Sequence, residues 1–203
     1  MKNDLTELVF ILDKSGSMDD LASDTIGGYN SLLKQNLEAP GEALVSTVLF
    51  DHRVEILHDR VPIDQVKPLT KKDYVPSGCT ALLDAVGGAI RYHERVQKIL
   101  PKEYRPAHTL FCITTDGLEN ASKRYTYPQV KHMIEAARER GWEFMFLGAN
   151  IDVAAEAGRL GIDLECAAPF AATSEGCAAA FDEMCRATVA VRGGRAAKDR
   201  ARR

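Results

Sequence analysis

Three short segments of this chain place oxygen-bearing side chains where they could do chemistry. The first is Asp13-Lys14-Ser15-Gly16-Ser17, a carboxylate and two hydroxyls at alternate positions of a turn. Side chains so spaced can converge on one small cation. All three offer oxygen and none nitrogen or sulfur, which favours a hard ion such as Mg2+ over zinc or copper. The same pattern also suits a helix N-cap, since Ser and Asp are the usual capping residues, and the motif alone does not separate the two. The second segment is Pro76-Ser77-Gly78-Cys79-Thr80, a glycine-containing loop that delivers Thr80 just before an apolar-periodic stretch. The third is Thr114-Thr115-Asp116-Gly117, which closes the apolar run Leu110-Phe111-Cys112-Ile113. Two strand-end aspartates and one loop threonine can meet at a point if their strands are neighbours.

The elements around these segments are those that would bring them together. Leu8 to Leu12 form a continuous apolar run, as in a central parallel strand covered on both faces. Asp13 then stands at the strand's C-terminal mouth, where open α/β sheets bind ligands. Beyond strand 7–13, the periodicity predicts a helix over 18–37 and a hairpin of strands 43–50 and 53–57. A helix over 81–100, a strand ending at Asp116 and a helix over 127–140, stopped by Gly141, come next. Strand 142–147, a short helix over 152–160, an edge strand at 163–167 and a last helix over 174–191 complete the chain. Such alternation implies an α/β fold with a doubly wound, mostly parallel central sheet, Rossmann-like, with helices on both faces and one short antiparallel edge strand.

The set DKSGS, SGCTALLDAVG and TTDG resembles the von Willebrand factor type A domain with its metal-ion-dependent adhesion site. The resemblance spans roughly residues 5 to 190, and within the family the chain is similar to small single-domain bacterial members, including those of tellurite-resistance-type loci. It implies a divalent cation (Mg2+, or Mn2+ or Ca2+) held directly by Ser15, Ser17 and Thr80, with Asp13 and Asp116 acting largely through ordered waters. A hard dication ringed by neutral oxygens keeps much of its charge and remains a strong electrophile for an outside carboxylate. The implied partner is therefore a protein presenting an Asp or Glu side chain. No sixth protein ligand stands at a matched position, which leaves one coordination place open.

Composition agrees with one domain over residues 1–191, followed by a basic tail, 192–203, read as a disordered, solubilising end. The tail lacks aromatics for stacking on bases, which disfavours nucleic acid as a partner. No run of about eighteen apolar residues is present, so a membrane span is not expected. MKNDLTELVF has no apolar core with a cleavage site, so a secretory leader is not expected either. Five cysteines without C-x-x-C spacing argue against a disulfide framework or zinc site, which makes a reducing cytoplasm the expected home. Cys112 reads as a small buried hydrophobe.

Other polar residues are weighed against plainer roles. Asp19 and Asp20 read as first-turn acids of a helix, and His52 as a solvated turn residue. Asp84 suits either the fringe of the site or a capping role. Tyr125 and Tyr127 suit either partner contact or packing. Asn150 and Asp152 read as turn and cap residues. Enzyme signatures are missing: the second Asp of a haloacid-dehalogenase nucleophile motif is Ser15 here, and G-x-S-x-G, G-x-G-x-x-G and Walker A patterns are absent. The expectation is a metal-dependent protein-interaction module and not an enzyme. The alternative is a metal-assisted hydrolase or phosphatase using Asp13 as nucleophile or base.

Overall fold

The structure, a computed structural model, describes residues 4–194. Strand β1, Thr6–Asp13, is buried along its whole length, as its unbroken apolar run requires. β2, Ala43–Phe50, lies parallel on one side of it, and β4, His108–Thr115, parallel on the other. β3, Val54–Pro62, pairs antiparallel with β2 at the sheet's edge. β5, Glu143–Gly148, and β6, Ala167–Pro169, extend the parallel set, giving the order β3-β2-β1-β4-β5-β6. The expected doubly wound, mostly parallel sheet with one antiparallel edge strand is the observed one.

Alternation along β1 divides the core. Leu8, Phe10 and Leu12 face the layer built by α1, Ala22–Leu37, and α5, Ser174–Arg192. Val9 and Ile11 face the layer of α2, Leu82–Ile99, α3, Tyr127–Glu139, and α4, Val153–Leu160. Each strand face is thus apolar because each meets a helix layer.

Several boundaries differ from expectation. The helix predicted over 18–37 begins as a 3-10 turn, Gly16–Leu21, before α1 starts. The antiparallel strand is longer than the expected 53–57, because irregular pairing between Val45 and Val48 lets it bend and continue to Pro62. The edge strand placed at 163–167 is shifted: a 3-10 turn, Leu164–Cys166, occupies that stretch, closed by the Cys166 amide on the Asp163 carbonyl at 2.8 Å. Only from Ala167 does the chain lie beside Phe146 of β5. α5 runs to Arg192, one residue beyond the prediction, and the Arg192 guanidinium is buried on the carbonyls of Asn36, Ala39 and Gly41. The remainder of the basic tail, from residue 195, lies outside the described residues.

The 63–81 connection between β3 and α2 is long but pinned. Asn30 on α1 exchanges two hydrogen bonds with the backbone of Leu69, at 2.9 and 2.8 Å. Tyr74 is buried and donates its hydroxyl to the backbone carbonyl of Asp13. The loop that carries Thr80 therefore reaches the sheet's mouth in one path.

Candidate metal centre

β1 and β4 are adjacent and in register, Leu12 opposite Thr114, so their C-terminal ends deliver Asp13 and Asp116 to the same mouth of the sheet. Asp13 is fully buried. One of its oxygens accepts from the Ser15 amide at 2.7 Å, the other from the Thr115 hydroxyl at 2.7 Å and the Asp116 amide at 3.4 Å. The bond to Ser15 folds the turn back and sets the hydroxyls of Ser15 and Ser17 3.2 Å apart. Ser15 is buried, whereas Ser17 opens to solvent.

Thr80 arrives by a loop stitched to its surroundings. The Gly16 amide donates to the Gly78 carbonyl at 3.2 Å, Ser77 N to Lys14 O at 2.9 Å, and Ala81 N to Asp51 O at 2.8 Å. Gly78 has φ +64°, and a Cβ there would lie 2.3 Å from His52 Nδ1, so only glycine serves. Gly117, just past Asp116, completes the arrangement. A methyl on it would lie 3.4 Å from Thr80 Oγ1 and 3.8 Å from Ser17 Oγ. The two hydroxyls therefore flank one small space beside Gly117.

The helix behind Thr80 lacks a cap of its own, because Ala81 occupies the N-cap position. The segment after Asp116 supplies the missing acceptors. Asn120 Oδ1 accepts from Thr80 N at 2.9 Å, Glu119 Oε2 from Leu83 N at 2.8 Å, and Ser122 Oγ from Asp84 N at 2.9 Å. Asp84 answers by accepting the amides of Lys123, Arg124 and Tyr125 at 2.9–3.0 Å. This reciprocal cap binds the Thr80 and Asp116 segments into one unit. Asp84 is thus a loop anchor.

The cluster concentrates two carboxyl groups in a buried setting. Burial pushes the Asp13 carboxyl above its usual range, against the pull of its hydrogen bonds. Burial also raises Asp116, and the charge of Asp13 adds in the same direction. Among the described residues no basic side chain forms an ion pair with either. Two buried carboxylates, three hydroxyls and no nitrogen or sulfur make a donor set that fits a hard dication. Among the described residues no group of three or more His, Cys, Asp and Glu side chains gathers in a way that could hold a metal.

The remaining residues sort by geometry. Asp19 and Asp20 are exposed in the 3-10 turn. His52 is largely exposed, its ring 3.2 Å from Asp51. Tyr125 packs over Gly87, and Tyr127 donates its hydroxyl to Glu156. Asp152 caps α4, accepting from Ala155 N at 3.0 Å. Asn150, at φ 56°, does more than turn the chain: its amide donates to Asp116 Oδ1. Sequence reasoning missed Asn150, Glu119, Asn120 and Tyr74 as positioning residues. The one available signal was an apolar-periodic helix beginning at an alanine without its own cap.

No protein-family model matches the chain, and no curated protein sequence matches it. Solved structures do match in fold. The vWF domain of the type V pili tip protein Mfa5 from Porphyromonas gingivalis has a TM-score of 0.62 at 13% identity, over 92% of this chain and 95% of that one. Manganese-loaded Plasmodium vivax TRAP protein has a TM-score of 0.59 at 16% identity, over 88% of this chain and 72% of that one. Proximal thread matrix protein 1 from the mussel byssus, with a zinc-occupied MIDAS motif, has a TM-score of 0.59 at 15% identity over 91% of this chain. The chain spans only 46% of that mussel protein. The fold is that of von Willebrand factor type A domains.

Proposed function

We propose that this von Willebrand factor type A fold serves as a metal-dependent protein-interaction module. The observation that carries the reading is that the Ser15, Ser17 and Thr80 hydroxyls stand at the mouth of the sheet where Asp13 and Asp116 end their strands, two buried carboxylates in no ion pair among the described residues. Ser15, Ser17 and Thr80 would hold a divalent cation directly, Mg2+ or its analogues Mn2+ and Ca2+, with Asp13 and Asp116 supplying charge. When bound, the ion offers a Lewis-acidic place to a carboxylate of a partner protein.

The chain's own residues prepare that event. Thr115, the Ser15 amide and Tyr74 hold Asp13 and its backbone in place, and Asn150 aims Asp116. The reciprocal cap keeps Thr80 at a set distance from the Asp116 loop. Ser17 and Gly117 leave the cluster open on the solvent side, and exposed Leu118 offers an apolar contact beside it. The hydrolase alternative fares poorly, because Asp13 is fully buried and both of its oxygens are committed to hydrogen bonds. The five cysteines, without C-x-x-C spacing, are the ground on which we read the setting as a reducing cytoplasm. No helix among the described residues is long and apolar enough to cross a membrane.

Thermal unfolding of EDTA-stripped protein as Mg2+ is titrated tests the reading. At about a hundred times its dissociation constant the ion stabilises by roughly 2.7 kcal/mol, raising the midpoint by about 5 to 10 °C. The Ser17→Ala and Thr80→Ala variants should keep the metal-free midpoint and lose the shift. Absence of a shift in the wild-type protein up to millimolar Mg2+ would remove the metal from the reading.

A further inference from the structure

The β2–β3 connection is a tight hairpin, and this has a consequence on the α2 side of the sheet. In a doubly wound sheet each parallel crossover lays a helix over the strands. A hairpin lays none, so the α2-facing side of β3 is left bare: Val54 is 39% and Ile56 55% exposed. Between this strip and α2 runs a groove of about 480 Å³. Its helical wall is low at Gly88, where an added methyl would meet nothing within 4 Å. Arg91 and Arg95, one turn apart on α2, and Arg124 from the loop beyond Asp116 also line it, and all three are exposed.

We propose that this groove docks an acidic amphipathic helix of a partner protein. The charges select the occupant. In a chain of net charge -3, these three arginines have no carboxylate at ion-pair distance among the described residues. The two acids of the groove are already engaged: Asp59 accepts the Tyr92 hydroxyl at 2.6 Å, and Asp84 accepts three backbone amides. The chain's own C-terminal residues, RAAKDRARR, are basic and do not complement it. A helix is the shape the fold leaves unfilled. Its apolar side would cover Val54 and Ile56, and glutamates four residues apart would face Arg91 and Arg95, which share that spacing. The contact does not involve the metal centre.

Fluorescence anisotropy on the full chain tests the assignment. The probe is a labelled helical peptide of Leu, Ala and Glu, with leucines three and four residues apart and glutamates flanking them. A scrambled peptide of the same composition and a labelled single-stranded DNA serve as comparisons. The helical peptide should bind equally in Mg2+ and in EDTA, and the scrambled one about tenfold or more weakly. The Arg91→Glu/Arg95→Glu double variant and Ile56→Ser should each weaken binding by a similar factor, with unfolding midpoints and the Mg2+-induced shift as in wild type. Equal binding of the scrambled peptide, or unchanged affinity in the double variant, overturns the proposal. A requirement for Mg2+ would move the peptide to the metal centre, and tighter binding of the DNA would assign the groove to nucleic acid; either result also overturns it.

Discussion

At Gly117 the chemistry of the candidate centre meets a steric limit, since a side chain there would enter the space that the Ser17 and Thr80 hydroxyls flank. Its backbone needs no left-handed conformation, so Gly117→Ala should fold normally and still block the cation. The Mg2+-induced thermal shift should shrink or vanish while the metal-free midpoint holds; an unaltered shift would place the ion elsewhere. Asn150 acts at one remove. Its amide orients Asp116, and loss of a partner of this kind typically weakens metal binding by about 10- to 100-fold. Isothermal titration of Asn150→Ala with Mn2+ should show a loss in that range, and wild-type affinity would mean that Asp116 needs no such support. The oxygen-bearing residues of the cluster were legible in the sequence because their spacing is local to three short segments. Asn150 was not, because it works across 34 positions and its own neighbourhood reads as an ordinary turn.

Among the elements, α2 matters most to the site, because Thr80 precedes it and its first turn has no side-chain cap of its own. Orphan amides at a helix start need acceptors; Glu119 and Ser122 take those of Leu83 and Asp84, and Asn120 takes that of Thr80 just before the helix. Glu119 also accepts from the amides of Ala121 and Ser122, at 2.9 and 2.7 Å, so one carboxylate organises both the loop and the helix end. Glu119→Ala should therefore cost about 1–3 kcal/mol, the penalty of leaving a buried donor unmade, and lower Mg2+ affinity by loosening Thr80. Urea unfolding with and without Mg2+ separates the two effects; a stable variant with unchanged affinity would show the cap to be redundant. The helices and central strands were readable from periodicity, since each has one face or both against the core. The 163–167 strand was misplaced because so short an edge element carries too few residues for a pattern, and its pairing is decided by where β5 ends.

Across the whole molecule, both helix layers enclose a titratable histidine that lies outside the candidate metal centre. On the α2 side His93 is 1% exposed, its Nε2 3.0 Å from Ser46 Oγ and its Nδ1 2.9 Å from the Ala89 carbonyl. Glu7 of β1 and Asp59 of β3 face it and favour the proton, while Arg60 of β3 opposes it. Burial outweighs the acids, so His93 stays below its ordinary 6.5 even with Glu7 at 3.9 Å. Towards the α1 side His58 bonds Thr47, which also meets Tyr29 of α1, and burial lowers it too, against the charge of Asp73. A histidine that resists protonation in the fold accepts it readily once unfolded. Between about pH 6.5 and the lowered folded values, the unfolded chain therefore binds more protons. Stability from these groups is complete above that window and is lost as pH falls through it. Guanidinium unfolding at about pH 7.5 and about pH 5.5 should show this decline. His93→Gln should flatten it, because glutamine keeps hydrogen-bonding capacity but cannot titrate, and comparison with wild type cancels every other ionisable group. Equal slopes in the two proteins would mean that His93 is protonated within the fold, with Glu7 prevailing over burial.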